Sequence, residues 1–175
     1  MARAFFLETL RNPSLEIRCA ALRGLGWCGA SREVGLLAGA TGDDDLAIRE
    51  AAVLAMRDLA TPGAMRALGE YFARADDRTA LVVAQALATH PVGQTALQDA
   101  THAADLVLRR AAAYGLGAVG EPWATELLER LIREDPEWLV RSAAETALSY
   151  TGQDEGGRQV VLAPPKVDEI EWLVI

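Results

Sequence analysis

The sequence predicts an all-α solenoid, in which about five helical hairpins stack side by side. Two ladders of repeated residues and an alanine-rich composition support this prediction. The first ladder is a five-residue phrase, hydrophobic-Arg-x-Ala-Ala in its full form, whose copies begin at Ile17, Ile48, Thr79, Leu108 and Val140. The second positions of these copies are separated by 31, 31, 29 and 32 residues. A fixed period of this size is typical of stacked units that cannot bury their apolar faces alone.

The second ladder repeats with nearly the same period. Its copies are Phe5-Phe6, Leu36-Leu37, Ala67-Leu68, Ala96-Leu97 and Leu127-Leu128. They are separated by 31, 31, 29 and 31 residues, so both ladders share the short step of 29. Hydrophobic residues make up 51% of the chain but aromatic residues only 6%, and 33 residues are alanine. Alanine favours helices and lets them approach closely, as a tightly stacked array requires.

Each unit is expected to contain two helices. The first begins after a turn in which Asn or Asp caps the helix and Pro removes an unpaired N–H group; these turns are Asn12-Pro13, Asp43-Asp44-Asp45, Asp76-Asp77 and Asp135-Pro136. In three copies a glycine is expected to end it, namely Gly29, Gly120 and Gly152. Prolines open several second helices, at Pro62, Pro91 and Pro122. We interpret Gly24, Gly26, Gly115 and Gly117 as packing glycines that let neighbouring helices approach.

The acidic turn followed by the repeated phrase resembles the HEAT repeat, in the bacterial variant known from phycobilisome lyases. The resemblance covers roughly residues 2–152, with a degenerate middle copy. It implies a right-handed α-solenoid whose second helices line a concave face. It also implies a structural role for the repeated arginines, Arg18, Arg49, Arg109 and Arg141.

Each repeated arginine can reach an acidic turn or the terminal carbonyls of a neighbouring unit. Partly exposed pairs of this kind stabilise by about 0.2–1 kcal/mol each. Ala80 replaces the arginine in the third copy, so we expect a weak point or a bend there.

The net charge argues against a nucleic acid partner, and the two cysteines indicate a reducing compartment. The net charge of −8 is the wrong sign for a surface that binds nucleic acid. Cys19 and Cys28 are nine residues apart, about 13 Å on one helix, which is too far for a disulfide. Two reduced thiols, no signal peptide and no apolar run of membrane-spanning length together predict a cytoplasmic protein without a membrane partner.

No catalytic or metal-binding arrangement is visible in the sequence. Asp43, Asp44 and Asp45 are consecutive and precede a helix, which indicates capping rather than a calcium loop. His90 and His102 lack a second ligand at metal-binding spacing. The metal-dependent hydroxylases built on HEAT repeats use His-Glu pairs, which are missing here. The sequence therefore predicts a non-enzyme without cofactor or metal.

The second helices offer the best candidate for a binding surface. Opposite charges are mixed on the side away from their apolar ladder, at Glu8, Arg11, Arg66, Glu70, Arg74, Gln98, Asp99, Glu126, Glu129, Arg130 and Arg133. Such a mixture suits a polypeptide better than a polyanion, although a merely solvated face explains it equally well. We predict a partner site at Arg66, Glu70, Arg74, Trp123, Glu126, Arg130 and Arg133. By repeat position Trp138 is predicted to be core and Trp27 to be partly exposed.

Both ends of the chain depart from the repeat. Residues 2–11 match a second helix without its first helix, and residues 153–175 cannot continue the pattern. This tail is expected to cap the solenoid through Trp172, Leu173 and Val174, to insert into a neighbouring copy, or to link to a further domain. The truncated appearance suggests a segment of a longer protein, with Met1 supplied as a start.

The leading functional prediction is a non-catalytic scaffold that binds a protein or peptide on the concave face. A regulatory or sensory segment of a larger protein remains an alternative, as does a bilin lyase-like subunit that handles a chromophore. A HEAT-like DNA glycosylase is disfavoured, because those enzymes use a strongly basic groove.

Overall fold

A computed structural model describes residues 2–28 and 31–151. These residues form ten α-helices and one short 3₁₀ helix, Ser31–Glu33, with no strand among them. The helices are α1 (Ala2–Thr9), α2 (Leu15–Cys28), α3 (Val34–Ala40), α4 (Leu46–Leu59), α5 (Pro62–Phe72), α6 (Asp77–Ala88), α7 (Pro91–Ala100), α8 (Leu106–Gly117), α9 (Pro122–Glu134) and α10 (Trp138–Thr151). The predicted α-solenoid of helical hairpins is confirmed.

The helices form two layers. The first helices α2, α4, α6, α8 and α10 each pack on the next, and the second helices α3, α5 and α7 do the same. The last second helix, α9, packs on α8 and α10 but makes little contact with α7. The core lies between the layers.

The apolar ladders supply this core. The second ladder contributes Leu37, Leu68, Leu97 and Leu128, and the facing side of the first helices contributes Leu25, Met56, Leu87 and Leu116, all of them fully buried. Each such side chain stabilises the fold by about 1.5–3 kcal/mol relative to an exposed one.

The turn residues before the first helices take two different roles. Asp45, Asp76 and Asp105 are true N-caps, whose carboxylates accept from the N–H groups of the first turn at 2.8–2.9 Å. Asn12 and Asp135 lie further upstream, and accept from the N–H groups of Ser14 and Glu137 instead. The prediction that both are N-caps is therefore wrong, because the helices begin three residues later, after the prolines.

The packing interpretation of the glycines is confirmed. A Cβ atom on Gly26 would lie 2.5 Å from the carbonyl oxygen of Ala55 in α4, and one on Gly117 would lie 2.8 Å from the Cβ atom of Ala147 in α10. Gly120 adopts φ +73°, but α8 ends at Gly117, so Gly120 belongs to the linker. The predicted helix ends at Gly29 and Gly152, and the tail 153–175, lie outside the described residues.

The prediction that Trp138 is core is wrong, because its side chain is 57% exposed. Its equivalents Leu15, Leu46 and Leu106 are half-buried. Each of them lies on a first helix that has a following first helix beside it, whereas α10 is the last helix described. Trp27 is 73% exposed, as predicted.

The repeated arginines hold the turns that precede their own helices. In each copy Nη1 donates to two successive carbonyl oxygens five and six residues earlier, at 2.8–3.1 Å; the donors are Arg18, Arg49, Arg109 and Arg141. Two of them also reach an aspartate at the start of the next unit, Arg49 to Asp76 and Arg109 to Asp135. The arginine therefore joins a turn, a helix and in two cases the next unit.

Candidate functional site

A groove of about 560 Å³ opens between α7 and α9. It is lined by Gln98, Asp99, His102, Trp123, Glu126, Leu127, Arg130, Arg133 and Glu134. A second hollow of about 390 Å³ adjoins it and shares His102, Arg130 and Glu134 with it. The second hollow lies at the end of the groove where the turns after α7 and α9 meet α8.

The groove exists because two small residues are replaced by large ones. Between α5 and α7 the helices approach through Gly69 and Ala96, where a Cβ atom on the glycine would lie 3.2 Å from the alanine Cβ. The equivalent pair between α7 and α9 is Gln98 and Leu127. Their longer side chains hold α9 away from α7, and both line the groove.

Helix α9 presents a distinct side to the groove. Ala124, Leu128 and Leu131 are buried against the rest of the fold. Trp123 and Leu127, one turn apart, are half-buried and form the apolar part of the groove wall. A half-buried tryptophan beside exposed charged groups is the kind of residue that anchors protein interfaces.

Arg130 spans one end of the groove. Its Nη2 atom donates to Thr101 Oγ1 at 3.1 Å and lies 3.1 Å from His102 Nε2. An arginine can only donate, so this second contact is a hydrogen bond when His102 Nε2 is the ring nitrogen without a proton. Arg130 therefore ties α9 to the turn after α7 while its remaining N–H groups can face a ligand.

A buried ion pair forms the floor of the adjoining hollow. Arg109 Nε donates to Asp135 Oδ2 at 2.8 Å and Nη2 donates to Oδ1 at 3.1 Å. Burial alone would raise the pKa of Asp135, but the hydrogen bonds from Arg109 outweigh it, and the pKa of Asp135 lies below its ordinary value. This pair fixes the turn that leads from α9 to α10.

The predicted partner site divides into two parts. Trp123, Glu126, Arg130 and Arg133 line the groove. Arg66, Glu70 and Arg74 are exposed on and just after α5 and do not line it; the guanidinium of Arg74 lies 5.7 Å from the centre of the Tyr71 ring.

The predicted partner site omitted five residues that also line the groove, namely Gln98, Asp99, His102, Leu127 and Glu134, although Gln98 and Asp99 were included in the wider polar side of the second helices. The change from Gly69 and Ala96 to Gln98 and Leu127 was the sequence signal that could have located them.

Residues considered for metal binding are engaged in caps. Asp45 caps α4, and Asp43 accepts from the N–H group of Asp45 at 2.9 Å. His90 caps α7 through Nδ1, which accepts from the N–H group of Val92.

Cys19 and Cys28 are free thiols on one helix, which confirms that they do not pair with each other. Within residues 2–28 and 31–151, no group of three or more His, Cys, Asp or Glu side chains could hold a metal ion.

Two stacked layers of helical hairpins define an α-solenoid repeat protein, and a family comparison gives the type of repeat. The family model described as HEAT repeats matches residues 4–88 and 89–149. The chain belongs to the HEAT-repeat family, which confirms the resemblance drawn from the repeated phrase. A search of curated proteins gave no significant match.

Solved structures share this fold. Human deoxyhypusine hydroxylase in complex with glycerol is similar with a TM-score of 0.56 and 22% identity, over 86% of this chain and 62% of that one. The complex of CpcE and CpcF of phycocyanin lyase from Nostoc sp. PCC7120 is similar with a TM-score of 0.56 and 22% identity, over 89% of this chain and 66% of that one. The chain therefore spans just under two thirds of each structure. No helix among the described residues is long and apolar enough to cross a membrane.

Proposed function

We propose that this protein is a non-catalytic scaffold that binds a protein or peptide in the groove between α7 and α9. The observation that carries the proposal is the lining of that groove. It combines an apolar wall of Trp123 and Leu127 with charged groups of both signs, and it is open to solvent.

The chemistry of the groove fits a polypeptide. Arg130 and Arg133 can pair with carboxylates, whereas Asp99, Glu126 and Glu134 can pair with basic side chains. A polyanion would meet three carboxylates here and a net charge of −8 on the whole chain. An apolar anchor with a mixed polar rim is typical of interfaces between proteins.

A lyase-like role is the second candidate, favoured by the similarity to the phycocyanin lyase complex. The same groove would then hold a chromophore against Trp123. Mixing the purified chain with a bilin tests this directly, because binding would change the visible absorbance. A regulatory segment of a longer protein is compatible with either role.

Two double variants of unchanged net charge test the scaffold proposal. Glu126→Arg with Arg133→Glu reverses two exposed charges in the groove, and Arg78→Glu with Glu145→Arg reverses two exposed charges on first helices. Each chain is used to capture proteins from extract of the source cells, with quantitative mass spectrometry. Circular dichroism and thermal melting check that both variants remain folded.

We expect a protein that the wild type and the first-helix variant retain equally and that the groove variant loses. Equal retention by all three chains would place the interaction elsewhere and contradict the proposal. A groove variant that melts much earlier than the control would show that these residues are structural.

A further inference from the structure

A tryptophan near the C-terminal end of α2 is open to solvent. The side chain of Trp27 is 73% exposed, more than any other large hydrophobic residue that the structure describes. Its repeat equivalents Thr89, Ala118 and Tyr150 are exposed as well, although each lies at the end of a first helix that packs on the first helix before it. The exposure of Trp27 therefore follows from its repeat position and not from its place in the first unit.

The exposed indole is held in place by the following unit. Its Nε1 atom donates to Asp58 Oδ2 in α4 at 2.8 Å. The guanidinium of Arg23 lies 5.7 Å from the centre of the Trp27 ring, and Arg23 Nη2 donates to the same Asp58 oxygen at 3.1 Å. An aromatic side chain that is already fixed loses little conformational entropy when a partner covers it.

Asp58 has no acceptor capacity left for a ligand. Besides the two bonds to Oδ2, its Oδ1 atom accepts from Arg57 Nε at 3.1 Å and from Arg57 Nη2 at 2.8 Å. A carboxylate has about four lone-pair sites, so these four hydrogen bonds occupy all of them. The side chain of Asp58 is also only 14% exposed.

The polar groups that remain unused here are donors. Among the described residues, Arg23 pairs through Nη2 alone, its Nε atom is buried without a partner, and Arg57 pairs through Nε and Nη2. The two side chains are 31% and 36% exposed. Together with Asp58 they are the charged residues within residues 22–28 and 53–59, which leaves an excess of one positive charge in a chain of net charge −8. Such a surface is complementary to a carboxylate.

The packing of first helices does not require this cluster. Helices α6 and α8 pack on each other as α2 and α4 do. The positions of Arg23, Trp27, Arg57 and Asp58 are held there by uncharged residues, namely Gln85, Thr89, Gly117 and Ala118. The tryptophan and the two arginines are therefore particular to the first pair of units, and they are residue types that are enriched at protein interfaces.

We propose that the Trp–Arg surface, formed by Arg23, Trp27 and Arg57, binds a short acidic segment of a partner protein. An apolar side chain of that segment packs on the exposed side of the indole, and one or two carboxylates beside it accept from the unused N–H groups of the guanidiniums. A long polyanion fits less well, because the net charge of the chain repels it. This surface is separate from the groove between α7 and α9.

The test is an NMR titration of the isotope-labelled full chain that follows the indole N–H signal of Trp27. A Trp27→Phe spectrum assigns this signal. The probe is the hexapeptide Glu-Leu-Glu-Glu-Leu-Glu, and the control peptide has every glutamate replaced by glutamine. Arg23→Gln introduces the residue found at the equivalent position in α6. The matched control variant is Arg110→Gln, since Arg110 also pairs with an aspartate of another first helix and its side chain is 32% exposed.

We expect a saturable shift of the Trp27 signal with a Kd below about 1 mM. Arg23→Gln should weaken binding about threefold or more, because a partly exposed ion pair is lost. Arg110→Gln and the groove variant, Glu126→Arg with Arg133→Glu, should bind like the wild type, and the glutamine peptide should not bind. If Arg23→Gln does not fold, Arg57→Gln replaces it.

Three outcomes would overturn the proposal. The first is a Trp27 signal that does not shift or does not saturate with the acidic peptide. The second is equal binding of the two peptides, or equal binding by the Arg23→Gln or Arg57→Gln chain and the wild type. The third is tighter binding of a thymidine hexanucleotide, because a single-stranded nucleic acid would then be the better occupant.

Discussion

Arg109 differs from the other repeated arginines in how deeply it is buried. Its side chain and that of its partner Asp135 are 11% and 3% exposed, and four hydrogen bonds satisfy the guanidinium. The sequence-based expectation of about 0.2–1 kcal/mol applies to partly exposed pairs. Removing one partner of a buried pair leaves the other charge uncompensated, which costs about 3–5 kcal/mol.

We therefore expect Arg109→Ala to lower the free energy of unfolding by about 3 kcal/mol or more. Arg49→Ala should lower it by about 1 kcal/mol, because the side chain of its partner Asp76 is 54% exposed. Urea denaturation of both variants measures the difference. Equal losses of unfolding free energy in the two variants would show that the hydrogen bonds to the turn carbonyls, which both arginines make, account for the destabilisation and that the ion pair adds nothing.

The same pair gives the protein a pH dependence. The folded pKa of Asp135 lies below its ordinary value, so its ionised form stabilises the fold. This contribution is complete above the unfolded pKa of about 3.9 and is lost as the pH falls through the folded pKa. Glu33, Asp58 and Asp76 also have lowered pKa values and act in the same direction.

We expect the melting temperature to stay nearly constant from pH 7 to about pH 5 and to fall steeply below about pH 4. Asp135→Asn should melt lower at pH 7 and show a shallower acid slope, since it has no carboxylate to protonate. A variant with the wild-type slope would show that Asp135 does not contribute to the acid transition.

At the scale of the helices, contacts between first helices depend on glycine at close approaches. Gly26→Ala gains helix propensity of about 1 kcal/mol. Its Cβ atom would however lie 2.5 Å from the Ala55 carbonyl oxygen and 2.7 Å from the Ala55 Cα atom, so α2 and α4 must separate. Gly39→Ala in α3 meets nothing within 4 Å.

We expect Gly26→Ala to destabilise the chain by about 1–3 kcal/mol and Gly39→Ala to stabilise it by about 0.5–1 kcal/mol. Thermal melting of the two variants and the wild type measures both changes. Two stabilised variants would mean that α2 and α4 can shift without loss, and that close packing does not hold the first-helix layer together.

The helix pairs could be predicted from the sequence because each unit repeats its own pattern. The burial of a side chain at a repeat position could not be predicted in this way, because it depends on the neighbouring unit. Trp138 illustrates this, since it is exposed on the last helix described whereas its equivalents Leu15, Leu46 and Leu106, on helices that another first helix follows, are half-buried. The absence of an arginine at Ala80 still predicts a weak point or a bend in the third unit.

For the whole molecule, the period of the sequence predicted the solenoid and the layer that carries the groove. The groove itself follows from one pair of residues, Gln98 and Leu127, in place of Gly69 and Ala96. A single sequence does not show that two substitutions on different helices face each other. For this reason the predicted partner site included residues of α5 that lie apart from the groove.

The central claim is that a protein partner binds in the groove between α7 and α9. The affinity of the captured partner for the two double variants tests this claim most directly. Isothermal titration calorimetry would measure this affinity with purified proteins. The account predicts that Glu126→Arg with Arg133→Glu weakens binding at least about tenfold, and that Arg78→Glu with Glu145→Arg changes it less than about twofold. Equal affinities, or a larger loss in the first-helix variant, would contradict a binding site between α7 and α9.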